Sequence, residues 1–136
     1  MATALGASAA LAATTAPAGA QPATAGGTVY TGDIIDGKKV ISALNINDLE
    51  PGTKQRFFFQ GVQTATGHRW HVSTIVAKGA RPGKRVALVS GVHGDEISTV
   101  RTIQIVMDQL DPAAMSGAVL AVLDVSRPAM EGMQRR

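Results

Sequence analysis

His93 and Glu96 are the residues of this 136-residue chain whose types and spacing could do chemistry. They stand in Gly91-Val92-His93-Gly94-Asp95-Glu96, an imidazole followed three residues later by a carboxylate. On a turn entering a helix, that offset brings both side chains to the same side. An imidazole nitrogen and a carboxylate oxygen are a borderline-soft donor pair suited to zinc, Zn2+. Asp95 or Asp124 would then orient the free ring nitrogen of His93 from behind. A plain loop histidine beside a helix-capping glutamate is written with the same letters, so the pair alone does not decide; its flanks favour the ligand reading.

Upstream, Val86 to Val89 is an unalternated apolar run, the pattern of a strand covered on both faces. Downstream, Ile97, Val100, Ile103, Val106, Met107 and Leu110 recur at helical spacing, so a helix is expected from about Asp95 to Leu110, closed by Asp111-Pro112. Ala118 to Val125 reads as another short buried strand. Strand, helix and strand make a βαβ unit, and ligands bind such units outside the carboxyl ends of the strands, where the Gly91–Glu96 stretch falls. Before this unit, Val29 to Ile35 and Lys39 to Ile46 flank the Asp36-Gly37 turn signal. Lys54 to Val62 and Arg69 to Ala77 flank Thr66-Gly67 as a second antiparallel pair. In Arg69–Ala77, Trp70, Val72, Thr74 and Val76 share one face, while His71, Ser73 and Ile75 share the other. Ser126 to Arg136 reads as having no further element.

Composition narrows the classes. Apolar residues make up 45% and charged residues 17%, which excludes a disordered acidic chain. There is no cysteine, which excludes disulfides, thiolate-bound metals and a thiol nucleophile. The net charge of +3 is dispersed, with no basic stripe interleaved with aromatics, so no nucleic-acid partner is expected. Residues 1–32 carry no charge, and Ala18-Gly19-Ala20 resembles a small-residue processing site. Residues 1–27 are therefore read as a disordered leader or signal-peptide-like segment, giving a periplasmic or secreted protein, with a cytoplasmic location as the alternative. That stretch is too short and too weakly apolar for a membrane span. Residues 28–136 are the folded part.

The residues from about Arg69 to Arg136, centred on Gly91–Glu96, resemble the succinylglutamate desuccinylase/aspartoacylase family, relatives of the zinc carboxypeptidases. The resemblance takes in the basic loop and strand before the motif, the helix after it, and the Leu110-Asp111-Pro112…Met115-Ser116-Gly117 passage. It implies an α/β fold: a partial zinc-exopeptidase-like mixed sheet with a flanking helix, preceded by antiparallel strands. It also implies a zinc-dependent amide hydrolase acting on a small acylated amino-acid-like or peptide substrate, with His93 and Glu96 as the first two metal ligands. Where the family has an Asn-Pro-x-Ala turn, this chain has Ser126-Arg127-Pro128-Ala129. That departure leaves room for a substrate other than the usual acyl-amino acids. Arg135 falls where the family's arginine would meet a carbonyl or carboxylate, with Arg136 as a near-equivalent. The family's substrate-positioning segment, third metal ligand and general base would lie beyond Arg136, so the expectation is the N-terminal part of a hydrolase, inactive as this chain.

Two other classes compete: a small non-catalytic exported binding protein, indifferent to chelators, and a degenerate remnant of the hydrolase fold. His68 and His71, on a hairpin, read as structural or surface residues. Phe57 to Phe59 reads as packing rather than substrate contact. Arg81, Lys84 and Arg85 read as a solvated loop rather than an anion site.

Overall fold

In the computed structural model, residues 26–135 are described. The expected leader, 1–27, lies almost wholly outside them, as does Arg136. Among these described residues, six strands form one mixed sheet in the order β1-β2-β3-β4-β6-β5. They are β1 (Val29–Ile35), β2 (Lys38–Ala43), β3 (Thr53–Gln63), β4 (Arg69–Lys78), β5 (Arg81–Val89) and β6 (Ser116–Val122). Helix α1 (Ile97–Gln109) carries the chain from β5 to β6, and α2 (Arg127–Gly132) follows β6.

The local chemistry explains most boundaries. Asp36 and Gly37 both take positive φ, 48° and 72°, which a two-residue hairpin turn needs at both central positions. β2 stops at Ala43 because the next residues turn. Asn45 accepts the backbone N–H of Asn47 at 3.0 Å and caps a single 3-10 turn at Ile46–Asp48, which shortens the strand expected to reach Ile46. That turn, with Pro51 and Gly52, swings the chain so that β3 pairs with β2 in parallel, with Val40 opposite Phe58. β3 and β4 then form the long expected hairpin, Phe57 opposite Thr74.

β4 joins the hairpins to the βαβ unit by pairing antiparallel with β6, Ile75 opposite Ala121. Its alternation is as the sequence implies. Ile75 and Ala77 pack with Ala121, Leu123 and the fully buried Met107 of α1, with Val100, Ile103 and Leu110 against them. Val76 faces the other way, with Ile41, Leu49 and Phe57, and Phe59 closes on this second cluster. Phe58, between those phenylalanines, points to the first face and meets Lys38 and His71. The phenylalanine run is thus packing, divided between two faces.

The structure also differs from the sequence pattern in β5 and after β6. β5 starts at Arg81, so the basic segment expected as a loop is strand. β5 also sits at the sheet edge, with Val86 50% and Val89 54% exposed, although its apolar run has the pattern of a covered strand. Finally, residues after β6 form a helix where none was expected. Pro128 in its first turn fits the N-terminal preference of proline, and Met133 ends it in the left-handed conformation at φ 48°.

Candidate functional site

The Gly91–Glu96 loop lies at the carboxyl end of β5, held against the segment after β6 by a ladder of backbone bonds. Val125 N–H donates to Ser90 O at 3.2 Å, Ser126 N–H to Gly91 O at 2.9 Å, and Gly94 N–H to Gln134 O at 2.6 Å. The buried Ser90 hydroxyl donates to Leu123 O at 2.8 Å. Two glycines make this approach possible. Gly91 has φ +66°, and a Cβ there would stand 2.7 Å from Leu123 O; at Gly94 a Cβ would stand 1.8 Å from Ala129 O. Backbone contact therefore needs glycine at both positions.

This ladder brings residues 40 positions apart into one cluster. His93 Nδ1 and Glu96 Oε1 are 3.0 Å apart, on a side-chain pair about one-third exposed. Arg135 reaches back from beyond α2, placing Nη1 3.3 Å from Asp95 Oδ2 and Nη2 3.6 Å from Glu96 Oε1. The three site residues expected from sequence are thus neighbours. Helix α1 begins at Ile97 with Glu96 at its N-cap position, so Asp95 and Glu96 precede the first turn rather than occupy it. Glu96 makes no side-chain cap bond, which leaves its carboxylate to His93 and Arg135.

The donor set suits a metal in kind. Zinc holds nitrogen at about 2.0–2.1 Å and carboxylate oxygen at about 2.0–2.2 Å, so two ligands of one tetrahedral ion stand about 3.4 Å apart. His93 and Glu96 are instead at hydrogen-bond distance, 3.0 Å, and would part by a few tenths of an ångström to take a metal between them. Among the described residues, no third histidine, cysteine, aspartate or glutamate joins them in a metal-holding group. His68 lies in the β3–β4 turn, where its carbonyl accepts from Thr64, and His71 stacks edge-on to Phe58 at 6.3 Å.

Asp124 is not the partner of His93. Its buried carboxylate accepts from Ser73 N–H at 2.6 Å, from the Ser73 hydroxyl at 3.2 Å and from Arg127 Nη1 at 2.9 Å. Arg127 also donates from Nε to Glu131 at 2.8 Å. Hydrogen bonds to Glu131 and to Asp124 raise the Arg127 guanidinium above its ordinary value, so it stays cationic. This cluster fixes the start of α2 to β4. Ser126 before Arg127-Pro128 was the available signal, since serine and an early proline mark a helix start. Nothing in the letters announces the Gly94–Gln134 pairing.

No protein-family model and no curated protein matches the sequence. Solved structures do match in fold. A succinylglutamate desuccinylase/aspartoacylase from Rhodobacter sphaeroides superposes with a TM-score of 0.58 at 23% identity, over 68% of this chain and 28% of that one. An aspartoacylase family protein from Mesorhizobium loti gives a TM-score of 0.58 at 14% identity, over 82% and 30%. The ectoine utilization protein EutE from Ruegeria pomeroyi gives 0.55 at 15%, over 65% and 27%. The match spans less than a third of the length of each of these structures. The mixed sheet with its crossover helix is accordingly the fold of part of the succinylglutamate desuccinylase/aspartoacylase structures.

Proposed function

We propose that this chain carries the first half of a metal-dependent amide-hydrolase site, of the kind that removes an acyl group from an N-acylated amino acid or peptide. The observation that carries the reading is the His93–Glu96 pair, 3.0 Å apart at the end of β5, with Arg135 beside it. His93 Nδ1 and Glu96 Oε1 would hold Zn2+. Bound there, the metal would supply Lewis acidity toward a carbonyl and acidify a water.

The chain's own residues account for the rest. The Gly91 and Gly94 contacts fix the loop, so that imidazole and carboxylate share one side of it. Arg135, whose side chain is 64% exposed, is free to turn from Glu96 to a substrate carbonyl or carboxylate and stabilise negative charge there. Asp95 holds Arg135 near that position. A catalytic zinc normally has three protein ligands and an open position. Two ligands give weak binding and no turnover by this chain alone. The leader reading stands with this proposal: the uncharged residues 1–27 ahead of the folded part fit an exported hydrolase. Among the described residues, no helix is long and apolar enough to cross a membrane.

The test is calorimetric titration of the 136-residue chain with Zn2+, beside His93→Ala and Glu96→Gln. The expected result is weak one-to-one binding, lost in both variants, with no hydrolysis of N-acetyl or N-succinyl amino acids. Binding that survives both substitutions would place the metal elsewhere and sink the assignment. Turnover by the chain alone would refute the two-ligand account.

A further inference from the structure

At the opposite end of β5 lies a concave pocket of about 350 Å³ that receives Lys78, Arg81 and Arg85. Adjacent strand residues are about 3.3 Å apart, so Arg81 is roughly 25 Å from the His93 end of the strand. The rest of the lining includes Asn47, Pro51, Gly79 and Gly117, with no carboxylate and no aromatic ring. The three cations are fixed by neutral acceptors. Lys78 Nζ donates to Asn47 O at 2.9 Å and to Leu49 O. Arg81 donates from Nε to Ser116 Oγ at 3.1 Å and from Nη2 to Ala114 O. Arg85 Nη2 donates to Asn47 Oδ1. Among the described residues, none of the three pairs with a carboxylate, whereas Arg56, Arg127 and Arg135 all do.

The distinction matters. A carboxylate partner neutralises a cation, but a carbonyl or amide oxygen orients it and leaves its charge in place. Here three charges of one sign are held around one concavity, with donors to spare: a third N–H on Lys78 and the Nη1 groups of both arginines. Guanidinium forks match the oxygens of a tetrahedral oxyanion, and an ammonium adds a point charge. The absence of aromatic rings from the lining leaves no platform for base stacking, so a nucleic-acid strand is disfavoured.

We infer that the Lys78–Arg81–Arg85 pocket binds a small oxyanion carrying two negative charges, a phosphate or phosphate monoester. The site is independent of the metal reading, because it shares no residue with it. Lys84, between the arginines, does not line the pocket, so only part of the basic segment serves it.

Calorimetric titration with inorganic phosphate at low ionic strength tests this, in the parent chain, Arg81→Gln, Arg85→Gln and the double variant, with Arg101→Gln on α1 as a control. Parent binding is expected near a Kd of about 1 mM or tighter, weakening about tenfold for each arginine removed and unchanged in Arg101→Gln. Far-UV circular dichroism confirms that each variant is folded, and the single variants serve if the double one is not. Glycerol phosphate as a second titrant separates the sources. Equal binding of the two means a terminal phosphate group suffices, and binding of phosphate alone means the free ion is the ligand. No phosphate binding by the parent, or affinity unchanged in folded Arg81→Gln and Arg85→Gln, overturns the proposal.

Discussion

Gly94→Ala is the sharpest perturbation of the site scaffold. The added Cβ would stand 1.8 Å from Ala129 O, 2.4 Å from Ala129 C and 2.7 Å from Gln134 N. All three are backbone atoms, so no side chain can swing aside, and α2 must move as a body. Movement breaks the Gly94–Gln134 bond of 2.6 Å and strains the Gln134–Ala129 bond of 3.1 Å. Each backbone bond contributes about 1 kcal/mol net, and forced overpacking costs about 1–3 kcal/mol. The sum is a destabilisation of about 2–4 kcal/mol, or a fall in Tm of about 10–20 °C for a domain of this size. Urea unfolding followed by circular dichroism measures it, and hydrogen exchange at the Gly94 and Gln134 amides reads the lost ladder directly. Gly132→Ala is the control on the same helix: its nearest neighbours would lie 3.7 Å away, all in the flexible Gln134 side chain. It should be neutral or stabilise by up to about 1 kcal/mol. A Gly94→Ala chain within about 0.5 kcal/mol of the parent, with its amide protection intact, would refute the close-approach argument.

Other perturbations probe the supports around that ladder. Met107→Ala empties a fully buried position between α1 and the sheet and should cost about 2–5 kcal/mol in denaturant titration, with cooperativity preserved. Asp124→Ala leaves the Ser73 N–H and Arg127 without their shared acceptor; a loss of about 2–4 kcal/mol is expected in thermal unfolding, and less than 1 kcal/mol would deny the cluster its anchoring role. Arg56→Ala removes an ion pair of 2.8 Å whose two side chains are about half exposed, so its cost should stay below about 1 kcal/mol and shrink further in salt.

The sequence made the strands legible where alternation or turn chemistry was strong. β4 carries a two-residue period through a sheet with two apolar faces, and both faces appear as read. Asp36-Gly37 announced its turn because few residue pairs take positive φ together. The Gly91–Glu96 loop was legible because apolar strand, glycine turn and amphipathic helix converge on it. Three things were not. An apolar run records which residues tolerate burial rather than where the strand lies, so a pattern that implies cover on both faces belongs to β5, half-exposed at the edge of the described sheet. A six-residue helix such as α2 has too few turns to show a periodic pattern. Proximity in an α/β unit suggests Asp124 as a partner of His93, but its carboxylate is taken by Ser73, 51 residues earlier in the chain.

The exposed β5 margin has a practical consequence for handling the protein. Val86 and Val89, with the main-chain groups of a strand that is outermost among the described residues, are a template for adding another chain. Just before them stand Arg81, Lys84 and Arg85, which act as gatekeepers: two margins approaching each other bring like charges together. That repulsion is electrostatic, and its reach falls from about 10 Å at 0.1 M salt to about 3 Å at 1 M. Concentrated salt would therefore remove the colloidal protection while leaving the sticky valines untouched, and dilute buffers should keep the protein monodisperse.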